Sequence, residues 1–66
     1  MSTLGEEFPK EQARVRDVLK QYESLGVAGA LGAALIRQTL AEADQAAISG
    51  DLVRMIAVYE ELKAIN

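Results

Sequence analysis

From Phe8 onward, apolar and polar positions follow the period of a helix. Val15, Val18, Leu19 and Tyr22 fall at i, i+3, i+4 and i+7, which is one helical face, and Phe8 and Leu25 extend that stripe at its two ends. Pro9 suits a first helical position, because its missing N–H has no partner there. Gly26 is a natural stop in the left-handed conformation. The spacing therefore predicts a first helix over 9–25. Residues 1–7 are polar and show no period, so they are expected to form a flexible arm.

The next segment carries apolar residues on two sides. Gly29, Ala33, Ile36, Leu40, Ala43 and Ala47 recur in alternating steps of four and three, a heptad-like seam made mainly of small residues. Val27, Leu31, Ala34, Leu35 and Gln38 form a second stripe on the same cylinder. This predicts a second helix over 27–48 whose first half is apolar nearly all the way round. Such a helix is buried on several sides, and two companion helices leave some of that burial to another copy or a partner. The small-residue seam, Gly29, Ala33, Ile36, Leu40 and Ala43, is the expected self-association surface. Ser49-Gly50-Asp51 is a tight connection in which Gly50 ends one helix and Asp51 caps the next. The third helix, 52–64, places Leu52, Met55, Ile56, Tyr59 and Leu62 on one face, and the short connection makes helices two and three an antiparallel hairpin. The expected fold is all-α: one three-helix domain spanning 1–66 and assembled as a homo-oligomer.

Composition strengthens the case for assembly. The chain has 66 residues. A domain this short buries only ~60% of the surface its unfolded chain exposes, and one small core rarely supplies more than ~3–5 kcal/mol. With neither cysteine nor histidine in the chain, disulfides and the commonest transition-metal ligands are excluded, and self-association is the remedy left. The net charge of −3 argues against generic nucleic-acid or anionic-membrane binding. The apolar run Val27 to Ile36 is too short to span a bilayer, which takes ~20 residues. It is also internal and lacks the flank and cleavage site of a signal peptide, so the expected location is the cytoplasm.

Little in the chain resembles a catalytic site. Glu42 and Asp44 are two apart and point in different directions on a helix, and no nucleophile-elbow, phosphate-loop or zinc-protease spacing occurs. Asp44 and Asp51 do not reproduce a calcium-loop spacing. No enzyme activity, metal or cofactor is expected. The stretch Gly26-Val27-Ala28-Gly29-Ala30-Leu31-Gly32 calls for a reason, because glycine costs ~0.8–1 kcal/mol relative to alanine inside a helix. It serves close helix packing, the approach of an anion to bare backbone at a helix N-terminus, or a hinge. In the anion reading, Arg14, Arg37 or Arg54 joins Gly26 and Gly29, and Tyr22 or Tyr59 lines the pocket. In the other reading the arginines form a solvated face, and both tyrosines are half-buried core residues.

Two resemblances accompany these patterns. Ala43, Ala46, Ala47, the Ser49-Gly50-Asp51 turn and Tyr59 resemble the helical hairpin of a single tetratricopeptide unit, although that family's W-x-x-L-G-x-x-Y segment is absent. Over most of the chain, Phe8-Pro-Lys-Glu-Gln, Gly29-Ala-Leu-Gly-Ala-Ala-Leu-Ile, Ser49-Gly-Asp and Tyr59-Glu-Glu-Leu-Lys are similar to small bacteriophage and prophage accessory proteins. That resemblance implies a stoichiometric inhibitor or adaptor of a host protein. The leading expectation is a non-enzymatic protein-binding module. The alternative is an oligomer that sequesters an anionic ligand such as a cyclic nucleotide.

Overall fold

A computed structural model describes residues 2–66. It contains three α-helices, α1 (Leu4–Ser24), α2 (Ala30–Ser49) and α3 (Leu52–Lys63), with a 3-10 turn, Gly26–Gly29, between the first two. The all-α, three-helix expectation holds, and α3 lies within a residue of its expected bounds. The other two helices start elsewhere than expected, each for a local reason.

α1 begins at Leu4 rather than at Pro9. Thr3 adopts extended backbone, and its hydroxyl accepts a hydrogen bond from the Glu6 N–H at 3.2 Å. Thr3-x-x-Glu6 has the spacing of a capping box, which satisfies backbone donors that a helix start leaves orphaned. Leu4 then packs against the core. Residues 4–7 are thus helical, and the flexible arm expected over 1–7 is corrected there; Met1 lies outside the described residues. Pro9 occupies the sixth position of α1 and cannot donate to the Gly5 carbonyl.

α2 begins at Ala30 because the chain first makes the 3-10 turn. Gly26, at φ 63°, reverses the chain after α1. Gly29 is buried so closely against α1 that a Cβ there would overlap the Tyr22 carbonyl oxygen. At the far end Gly50, at φ 68°, donates its N–H to the Ala46 carbonyl, and the Asp51 side chain accepts from the Arg54 N–H to cap α3. Both ends of that connection follow helix-end chemistry.

The core lies where the three helices meet. Phe8, Val15 and Val18 of α1, Ala33, Ile36, Ala43 and Ala46 of α2, and Val58 and Leu62 of α3 are all buried. Phe8 stacks on Tyr59, with ring centroids 6.5 Å apart. The expected self-association seam is corrected here. Gly29, Ala33, Ile36 and Ala43 are buried and Leu40 is half-buried by the chain's own helices, and the stripe turns at its end to Ala46, leaving Ala47 exposed. These small residues let α1 and α3 approach α2 within one chain. One buried polar group accompanies them: the Gln12 amide donates to Asp44 at 3.0 Å and ties α1 to α2.

The placement of Ala33 has a direct test. Ala33→Leu overpacks the core of the single chain and lowers its stability by about 1–3 kcal/mol. Urea unfolding followed by circular dichroism reads this as a lower midpoint at every protein concentration. An unchanged midpoint contradicts the burial of Ala33 within the chain.

Candidate functional site

The same packing that buries one side of α2 leaves the opposite side uncovered. Val27 is 96% exposed, Leu31 75%, Leu35 58% and Ile48 80%. Around the connection to α3, Leu52 is 65% exposed, Val53 80% and Ile56 54%, and Leu25 joins them at the end of α1. Single exposed aliphatic side chains are ordinary; here four, Leu25, Val27, Leu31 and Leu35, fall around the start of α2 and four, Ile48, Leu52, Val53 and Ile56, around its end and the start of α3. Together they expose on the order of 500 Å² of aliphatic area. The helices also form an elongated body, 37 × 23 × 16 Å, with a radius of gyration of 12.2 Å, against about 11 Å for a compact domain of this length.

Beside this surface lies a cleft of about 320 Å³ lined by Tyr22, Gly32, Leu35, Ile36, Ala64, Ile65 and Asn66. Its wall is set by close packing: a Cβ on Gly32 would stand 2.6 Å from the Tyr22 ring. Gly29 and Gly32 therefore make room for the backbone and the ring of one residue, Tyr22. The lining carries neither an arginine nor a lysine, and Tyr59 is not part of it. The N–H of Ala30, where α2 starts, is bonded to the Val27 carbonyl of the 3-10 turn.

The arginines singled out in the sequence do not converge. Arg14 bonds Glu11 through Nε at 2.6 Å, and its two terminal nitrogens donate to the carbonyls of Ile65 and Leu62 at 2.8 and 2.9 Å. It therefore holds the last turn of α3 against α1, satisfying carbonyls that a helix end leaves open. Arg37 pairs with Glu23 at 2.7 Å and links α2 to α1. Arg54 is exposed near the start of α3. Of the candidate contact residues, the structure brings together Gly26, Gly29 and Tyr22 and leaves Arg14, Arg37, Arg54 and Tyr59 apart from them.

The remaining charges serve helix ends and surfaces. The Glu7 carboxyl, half-buried at the start of α1, is held below the usual carboxylate range by the Ser2 hydroxyl and then by Lys10. That is helix-start chemistry rather than a poised acid. Lys63 lies over the Tyr59 ring, 5.3 Å from its centroid. Among the described residues, no three Asp, Glu, His or Cys side chains cluster closely enough to hold a metal ion, and no helix is long and apolar enough to cross a membrane. The surface the sequence missed is the run Ile48, Leu52 and Val53 at the α2–α3 connection; its signal was the apolar residues flanking Ser49-Gly50-Asp51.

Compared with protein-family models, with curated proteins and with solved structures, the chain matches none.

Removing the three bonds of Arg14 isolates its contribution. Arg14→Ala lowers stability by about 1–2 kcal/mol, and Arg14→Lys does not restore it, because an ammonium lacks the planar fork that reaches two carbonyls and a carboxylate. Thermal unfolding of the two variants beside the wild type checks this. Full rescue by lysine means that charge alone is what matters at that position.

Proposed function

We propose that the chain is a non-enzymatic interaction module that works by docking its uncovered aliphatic face on another polypeptide. The observation that carries this reading is the exposure of Leu25, Val27, Leu31, Leu35, Ile48, Leu52, Val53 and Ile56 on a chain of 66 residues. Leaving this much aliphatic surface in water forgoes, at roughly 25 cal/mol per Å², on the order of 10 kcal/mol of transfer free energy. A partner that covers part of it recovers that part. The absence of histidine and cysteine from the chain supports a stoichiometric role over a catalytic one.

The resemblance to bacteriophage accessory proteins gives the reading a biological form: an inhibitor or adaptor of a host protein, acting in the cytoplasm by occupying a surface. In this form the α2–α3 pair is an antiparallel hairpin that presents Leu52, Val53 and Ile56 beside Ile48. An anionic nucleotide finds less support, because Arg14 and Arg37 already hold partners within the chain and the cleft lining has no cation.

Affinity capture from a bacterial lysate tests the proposal when run in parallel with a variant. The tagged wild type retains a host protein in near-equal molar amount. Val53→Glu/Ile56→Glu, altered only at exposed positions and equally helical by circular dichroism, loses it. Capture of the same proteins by both chains, or of none by either, contradicts the proposal.

A further inference from the structure

The uncovered side of α2 has its own periodicity. Val27, Leu31, Ala34, Gln38, Ala41, Gln45 and Ile48 follow one another in steps of four, three, four, three, four and three, and every one of them is exposed. None is charged. The stripe begins in the 3-10 turn, continues the length of α2, and lies opposite the stripe that faces α1 and α3. Alternating steps of three and four are the spacing that keeps one helix face against a neighbouring helix over several turns. No helix of the same chain occupies this face.

We propose that a second copy of this chain does, pairing α2 against α2 along the stripe; this rests on the reading of the aliphatic face as a docking surface and names one occupant for part of it. Three observations favour a copy over an unlike partner. The first is charge. Each chain carries a net −3, so two copies repel over most of their surfaces, and an uncharged strip is where they can meet without opposing like charges. Of the three charged residues on α2, Arg37 pairs with Glu23 and Asp44 accepts from Gln12 and pairs with Arg16, all on α1, while Glu42 is half-buried beside the stripe rather than in it.

The second is shape. Ala34 and Ala41 flank Gln38 at the middle of the stripe, and the larger Val27, Leu31 and Ile48 stand toward its ends. Small central residues let two backbones close on one another, and the bulkier ends fill the space as the helices diverge. In an isologous pair the middle of a stripe meets its own counterpart. Gln38 then faces Gln38, and an amide is both donor and acceptor, so each satisfies the other. A single polar position in an otherwise apolar seam also fixes register.

The third is length. α2 has 20 residues, about 30 Å of helix at 1.5 Å per residue, and Val27, Leu31 and Ile48 along the stripe are 96%, 75% and 80% exposed, so a facing copy covers this length on both chains at once.

Solution mass by light scattering tests the pairing. At about 100 µM, where a Kd of ~1 µM leaves few free chains, the wild type has twice the 7.1 kDa mass of one chain. Ala34→Glu and Gln38→Glu bring two carboxylates together at the centre of the pair and halve the mass to 7.1 kDa, with helical content unchanged. Val53→Glu, at the α2–α3 connection, keeps the doubled mass. A dimer that survives both central substitutions but is lost with Val53→Glu overturns the pairing along α2 and leaves docking by the aliphatic face intact. A wild type of single-chain mass overturns the pairing outright. If Val53→Glu/Ile56→Glu then captures the same lysate proteins as the wild type, the proposed function falls with it.

Discussion

α2 is apolar on two opposite sides, and two companion helices can cover only one of them. Everything else in the molecule arranges itself around that constraint. The side with the smaller residues, Ala33, Ala43 and Ala46 beside Ile36, is the one that α1 and α3 enclose, because small side chains permit close helix approach and a dense core. The side with Leu31, Leu35 and Ile48 faces outward. The ends of α2 follow the same logic. Gly29 and Gly32 yield space to Tyr22, and Gly50 closes the helix so that α3 returns to the core.

The polar groups hold this three-helix arrangement from its edges. Gln12 and Asp44 tie α1 to α2, Arg37 and Glu23 make a second link between them, and Arg14 ties α1 to the end of α3. Surface ion pairs contribute little individually. Arg14 differs because its fork meets two helix-end carbonyls as well as a carboxylate. Arg14, Arg37 and Asp44 are thereby drawn toward the helix junctions, and the outer stripe of α2 is left uncharged.

Much of the architecture was legible in the sequence. Helix number, helix type and the Ser49-Gly50-Asp51 connection follow from periodicity and cap chemistry. The start of α1 departs from the position Pro9 suggests, because the Thr3-x-x-Glu6 cap, with Thr3 six residues before Pro9, sets it. The choice between the two stripes of α2 was also misjudged, and for a deeper reason: both repeat in steps of three and four, so spacing alone does not say which one the chain keeps for itself. Polarity separates them: the outer stripe carries Gln38 and Gln45, whereas the enclosed one, Gly29, Ala33, Ile36, Leu40, Ala43 and Ala46, has no polar side chain. Arg14 illustrates a further limit, because its partners at Leu62 and Ile65 lie some fifty positions away and leave no local mark. The cleft beside Tyr22 could not be anticipated either, since its far wall comes from residues 64–66.

The central claim is that the outer face of α2 is covered by the same face of a second chain. The most direct measurement places a nitroxide on a single cysteine at position 42, beside the stripe rather than in it and in a chain without native cysteine, and records the spectrum with and without an excess of unlabelled chain. The account predicts strong dipolar broadening between labels that disappears on dilution with unlabelled protein. A spectrum that is narrow from the outset and insensitive to that dilution, at concentrations where the mass is doubled, would show that the two chains meet somewhere other than α2.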